Sequence, residues 1–268
     1  MKTRTYKSWA ITLPSAFILG LTLFSLSCKK NDQKLLKDFI QVNLVGNNDT
    51  YHPKRVEADL VNAWGIAFSP TGIAWVNAED KGLSYLFDTA GASPRGPVAV
   101  PSGDASTGHP TGIVFNGSTD FKLPNGNPAR FIFVGVDGIL SGWNTGDVAV
   151  KLVDSGATSA YTGLAIGVDG GANFLYAANF KTGRIDVFDK DFMSVTSKPF
   201  TDPHLPSGYS PFNIQNIDGK LYVMYAKVDP ATGEEDAHPG FGIVDIYTTN
   251  GMFERRFVSN GQLNAPWY

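Results

Sequence analysis

The chain has 268 residues and a formal charge of −3, with 43% hydrophobic and 18% charged residues, 29 glycines and 16 prolines. That composition suits a folded, turn-rich domain better than a disordered or helical one. Lys2, Arg4 and Lys7 are the only charged side chains among the first 27 residues, leaving 19 basic against 25 acidic residues beyond them. No basic stripe is left for a nucleic-acid backbone, so nucleic acid is set aside as a partner, and non-specific binding to anionic lipid is disfavoured.

Residues 1–8 are basic and polar, and Trp9 to Ser27 is an uncharged, mostly apolar run broken by Pro14. This is the pattern of a secretory signal peptide. The run ends in Leu23-Phe24-Ser25-Leu26-Ser27, immediately before Cys28, the single cysteine, so an internal disulfide is excluded. Small Ser27 before a lone Cys28 resembles the lipobox of bacterial lipoproteins, although the position three before the cysteine, usually Leu, is Ser25 here. The resemblance implies cleavage before Cys28 and acylation of its thiol, and hence an exported cell-envelope protein lipid-anchored to a bacterial membrane, the outer one where the cell has two. A transmembrane anchor, or a cleaved signal with an incidental cysteine, is the alternative. Residues 28–38 are polar and read as a tether.

Phe39 to Val45 alternates apolar and polar residues, as an edge strand does. Propellers commonly close by adding such a strand to the last blade, and this segment is expected in that role.

From residue 62 onward the chain repeats. Asn62-Ala63-Trp64-Gly65-Ile66, His109-Pro110-Thr111-Gly112-Ile113, Tyr161-Thr162-Gly163-Leu164 and Ser210-Pro211-Phe212-Asn213-Ile214 each open a unit. The spacing is 47 residues from Gly65 to Gly112, 51 to Gly163 and 50 to Asn213. Each unit holds three clear short strands and a weaker fourth, punctuated by Gly, Asp and Asn, and four strands at this period make a propeller blade. Ala74 to Asp88 aligns without a gap on Leu175 to Asp189, placing Gly82 over Gly183. The glycine in each opening is expected to permit close backbone approach near the axis. In the fourth unit Asn213 replaces it, as a tolerated change or as a polar group facing the channel.

Gln262 to Trp267 restates the opening around Trp64 without a unit behind it. The expectation is an all-β propeller over 39–268, with four four-stranded blades and the start of a fifth, truncated relative to a full ring. A native extension of the fourth blade is the alternative.

The Gly-Ile/Leu-Ala openings and Ile185-Asp186-Val187-Phe188-Asp189 type closings resemble NHL repeats. Over Phe39 to Tyr268 the pattern, with Leu60 to Phe68, Leu221 to Ala226 and Gly261 to Trp267 most telling, resembles an uncharacterised family of exported bacterial proteins. That resemblance implies six blades and no assigned reaction. Members continue past the position of Trp267 with Gly, whereas this chain has Tyr268.

Propeller function usually sits at the mouth, where the residues before each first strand meet the turns between second and third strands. The first set offers Asn62, His109, Tyr161, Tyr209 and Asn264, with Asn213 close by. The second offers Glu79, Asp80, Asp137, Lys181 and the loop from Asp229 to Gly240. Within that loop Asp229, Glu234, Glu235 and Asp236 are oxygen donors of the kind that holds calcium, although their spacing fits no EF-hand and charged loops are ordinarily just solvated surface. The four histidines show no paired metal spacing, and nucleophile elbows, P-loops and dinucleotide turns are absent. The inner strands Trp64–Ser69, Thr111–Asn116, Thr162–Gly167 and Pro211–Ile217 contain no Asp or Glu. Two readings stay open: a platform binding a protein, peptide or glycan, and a divalent-cation-dependent propeller hydrolase or lyase with its site at the central channel.

Overall fold

A computed structural model describes residues 40–104 and 107–267. The signal peptide, Cys28 and the tether lie outside the described residues.

Four antiparallel four-stranded sheets follow one another along the chain and form the blades of a β-propeller. The first holds β3 (Ala63–Phe68), β4 (Ala74–Ala78), β5 (Leu83–Phe87) and β6 (Val98–Ala99); the second β7 (Pro110–Phe115), β8 (Phe131–Gly135), β9 (Ile139–Trp143) and β10 (Val150–Asp154). The third holds β11 (Tyr161–Asp169), β12 (Ala172–Asn179), β13 (Arg184–Phe188) and β14 (Ser194–Val195); the fourth β15 (Tyr209–Ile217), β16 (Lys220–Lys227), β17 (Ile243–Thr248) and β18 (Phe253–Val258). Ahead of them β1 (Val45–Gly46) pairs in parallel with β2 (Arg55–Val56).

First strands of successive blades lie side by side, β3 beside β7, β7 beside β11 and β11 beside β15. The opening glycines make this possible. A Cβ on Gly65 would fall 2.1 Å from the Thr111 carbonyl oxygen, one on Gly112 2.6 Å from the Leu164 nitrogen, and one on Gly163 2.3 Å from Asn213 Oδ1. Each first strand also slips register at this point, between Ala63 and Ile66, Pro110 and Ile113, Tyr161 and Gly163, and Pro211 and Asn213. The repeat therefore encodes a bulge at one height in all four blades. Where Asn213 stands in place of glycine, its amide nitrogen donates to the Trp267 carbonyl and its Oδ1 accepts from the Ile214 N–H. It is buried rather than exposed at the channel.

The gapless alignment of the first and third units corresponds to one hairpin register: Ala74 pairs with Phe87 and Ala78 with Leu83, as Leu175 pairs with Phe188 and Asn179 with Arg184. Both turns need a left-handed residue, supplied by Gly82 at φ 60° and Gly183 at φ 70°.

Apolar residues fill the spaces between blades. Trp75, Leu86, Ile113, Phe131 and Phe133 pack between the first two, Val114, Ile132, Leu140, Leu164 and Leu175 between the second and third, and Tyr176, Ile185, Ile214, Val223 and Tyr247 between the third and fourth. Face-to-face burial of this kind is what a half-apolar strand needs. Buried amides and hydroxyls tie the same seams: Asn77 Nδ2 donates to the Thr111 carbonyl at 3.0 Å, and Thr111 Oγ1 to the Tyr161 carbonyl at 2.5 Å.

Two expectations are corrected. Residues 40–44 form no strand; the Asn43 and Leu44 carbonyls accept from the Lys54 and Arg55 N–H groups at 3.0 Å and Val45 pairs with Arg55, so the described part of the expected closing strand lies along β2 rather than on the fourth blade. Ile40 is 91% exposed, and alternation alone could not name a partner edge. Residues 259–267 likewise carry no strand; the Leu263 carbonyl accepts from Gly240 and Gly242 N–H groups at 2.8 and 3.1 Å, which ties the restated opening to the fourth blade.

Candidate functional site

The residues before the first strands and the turns between second and third strands gather on one face of the propeller, the mouth. Between β4 and β5 a single turn, Glu79–Lys81, carries the first polar cluster. Asn62, which precedes β3, adopts φ 51°. From that left-handed position its Nδ2 donates to Glu79 Oε2 at 2.9 Å and to Asp80 Oδ1 at 3.3 Å, while its carbonyl accepts the Glu79 N–H at 3.1 Å. His109, before β7, places Nδ1 2.8 Å from Glu79 Oε1, so this contact crosses from the second blade to the first.

Burial raises the Glu79 carboxyl above the usual carboxylate range, and the Asp80 carboxylate beside it acts in the same direction, against the hydrogen bonds from Asn62 and His109. Asp80 is lowered by its hydrogen bond with Glu79. Asp137, in the turn between β8 and β9, is raised by burial; one of its oxygens accepts from the Ile139 N–H at 3.3 Å and the other is buried without a partner.

Two clefts open on this face. The larger, about 800 Å³, is walled by Trp64, Phe180, Tyr209 and Phe212 and rimmed by Glu79, Lys181, Glu234 and Glu235. The smaller, about 480 Å³, is lined by Asp104, His109, Asp137, Asp154, Ser159 and Lys181. Lys181 borders both, with Nζ on the Ala157 carbonyl at 2.6 Å.

Of the sequence candidates, Asn62, Glu79, Asp80 and His109 meet, and Asp137 and His109 line one cleft. Tyr209 and the pair Glu234 and Glu235 line the other. Tyr161 is corrected from a mouth residue to a core one: it is 1% exposed and its hydroxyl lies 3.0 Å from Ser155 Oγ and 3.2 Å from Asp186 Oδ2. Burial moves its phenol upward, out of any acid–base role near neutrality. Asn213 is consumed by the Trp267 carbonyl, and Asn264 is exposed beside Gly242, lining neither cleft.

The acidic loop is a small closed turn. Val228 bridges Glu235, the Asp229 carboxylate accepts the Ala231 N–H at 2.8 Å, and Asp236 accepts from or pairs with His238. Asp229, Glu234, Glu235 and Asp236 are thereby not drawn into a calcium cage, and no group of three or more His, Cys, Asp or Glu side chains is placed to hold a metal among the described residues. Trp64 packs against the buried cluster of Phe180, Phe212 and Ala226 and also forms part of the wall of the larger cleft. The signal was available: the residue before the opening glycine is Thr111 and Thr162 in two units but Trp64 and Phe212 in the others.

The sequence matches no known family profile. It is 30% identical over 241 residues to each of two uncharacterised proteins of Acanthamoeba polyphaga mimivirus, covering 85% of this chain and 63% and 59% of theirs. The chain thus spans less than two thirds of the length of these relatives. Among solved structures it is similar to hydrazine synthase of Kuenenia stuttgartiensis, with 18% identity, TM-score 0.49, and coverage of 79% of this chain and 52% of that one. It is also similar to a streptogramin B lyase, with 14% identity, TM-score 0.45 and coverage of 73% and 68%.

Proposed function

We propose that the protein is an exported, lipid-anchored envelope propeller that binds a protein, peptide or glycan in the larger mouth cleft. The observation that carries the binding reading is the lining of that cleft: the part-exposed rings of Trp64 and Tyr209 over the buried Phe180 and Phe212, with carboxylates and one ammonium on its rim. Aromatic faces give large contact area at low entropic cost, and a few convergent polar groups set orientation, which is the general make-up of a recognition site. Sugar rings and basic peptides both present an apolar face with hydrogen-bond donors for Glu234 and Glu235. The anchoring reading rests on the basic start, the apolar run and Ser27-Cys28. The cation-dependent alternative has no cluster of three or more His, Cys, Asp or Glu side chains among the described residues to support it.

Glycan and peptide arrays probed with the full chain in detergent test the binding reading. A ligand is expected whose affinity falls about tenfold or more, roughly 1.4 kcal/mol, in Tyr209→Ala and in the double variant Glu234→Gln/Glu235→Gln. Binding that ignores both variants would place recognition elsewhere.

A further inference from the structure

Glu79 borders the larger cleft, but His109 lines only the smaller one, and the geometry of the Glu79–His109 corner is that of an oriented base. The Glu79 side chain is only 9% exposed and is fixed from two sides, by the Asn62 amide on Oε2 and by its own N–H on the Asn62 carbonyl. A non-glycine residue held at φ 51° costs free energy that the surrounding structure must offset, and here it serves to aim that amide. With Glu79 ionised, His109 Nδ1 carries the proton and donates to Oε1 at 2.8 Å, which leaves Nε2 as the free acceptor. The imidazole is 46% exposed and borders the smaller cleft, so the acceptor is reachable by a small molecule. Base, orienting carboxylate and an open cavity are the parts that general-base catalysis requires.

We propose that His109 is a general base for hydrolysis of small carboxylic esters in the smaller cleft, with Glu79 as its positioning residue. His109 Nε2 takes a proton from water as the water oxygen bonds to the ester carbonyl carbon. Lys181, whose ammonium stays in the cleft on the Ala157 carbonyl, supplies positive charge toward the developing oxyanion. Collapse of the tetrahedral intermediate breaks the acyl C–O bond, and the imidazolium returns its proton to the leaving alkoxide, giving an alcohol and a carboxylic acid. An ester suits this arrangement, because a neutral imidazole is matched to proton transfer near pH 7 and its conjugate acid can protonate the departing oxygen. The charged groups that face the imidazole or the cleft are Glu79, Asp80, Asp104, Asp137, Asp154 and Lys181. That excess of carboxylates selects uncharged or amine-bearing esters over carboxylated ones.

The test is hydrolysis of 4-nitrophenyl acetate and butyrate by the full chain in detergent across pH 5 to 9. Saturable turnover is expected, with kcat/KM rising with pH along one ascending limb. His109→Gln should lower kcat by roughly 100-fold or more, while His204→Gln and His238→Gln, which control for adventitious imidazole cleavage, leave it unchanged. Glu79→Gln should lower kcat by about tenfold with little change in KM and displace the limb, a displacement that a purely structural residue would not produce. Should either mouth variant fail to fold, ethoxyformylation of the wild-type chain by diethyl pyrocarbonate gives the same answer: turnover is lost on modification of His109 and returns with hydroxylamine. Turnover that persists with His109 modified, a His109→Gln rate equal to wild type, or a rate that never saturates overturns the proposal.

Discussion

The indole of Trp64, on the first strand of the first blade, stacks on that of Trp267, with ring centroids 4.3 Å apart and planes 26° from parallel. Trp64 also donates Nε1–H to the Thr162 carbonyl at 3.1 Å and packs 6.1 Å from the Phe212 ring. One side chain thus joins the first, third and fourth blades. Trp64→Phe keeps an aromatic ring but loses the donor and part of the stack, and is expected to cost roughly 1–2 kcal/mol, read as a lower denaturation midpoint at unchanged m-value. Unaltered stability would mean that the stack lies on the surface of the fold rather than across it.

The inner-strand glycines make a sharper test. Gly163→Ala would set a methyl 2.3 Å from Asn213 Oδ1 and 2.8 Å from the Asn213 Cα, so two blades must part. A loss of about 1–3 kcal/mol is expected, against less than about 0.5 kcal/mol for Gly96→Ala, which meets nothing within 4 Å. Thermal melts of the two variants side by side decide it, and equal midpoints would contradict the close approach.

A buried ionic cluster makes stability depend on pH. Arg256 donates Nε–H to Asp245 Oδ1 at 2.9 Å and reaches Asp202 with Nη2, while Asp245 Oδ2 is buried without a partner. Burial pushes the Asp245 carboxyl from its ordinary 3.8 up to about 6, against the pull of Arg256. A folded value above the unfolded one means that the folded chain binds the proton more tightly, so this stabilising contribution is complete below about pH 4 and is lost as pH rises through about 6. The stability of wild type relative to Asp245→Asn should therefore fall between pH 4 and 7. A difference independent of pH over that window would show that Asp245 titrates alike in both states.

Anchoring is checked at Cys28. Wild type is expected to incorporate labelled palmitate and to sediment with membranes, and Cys28→Ala to lose the label and be released. Label retained by the variant would point to another attachment.

How much of this was legible follows the range of each interaction. Blade period, hairpin register and the left-handed turns at Gly82 and Gly183 are set by neighbours a few residues apart, and local chemistry displays them in the sequence. The bulge at Gly65, Gly112 and Gly163 was visible as a shared glycine because the repeat shows the same packing problem several times. Tyr161 was misplaced because its position before a first strand says nothing about which way the side chain turns, and here it turns inward to Ser155 and Asp186. Glu79 and His109 each stood at a blade top, but their contact joins two blades. No pattern within a single repeat could have paired them.

Because the first and third blades share one hairpin register, residues 79–82 and 180–183 occupy equivalent corners, with Glu79-Asp80 in one and Phe180-Lys181 in the other. One hairpin register thus presents an acid pair in one blade and a ring with an ammonium in another, each held by its own neighbours: Glu79 by Asn62 and His109, Phe180 by Phe212 and Ala226. The strands fix where each corner stands, and the residue placed there decides which charge or ring the mouth presents.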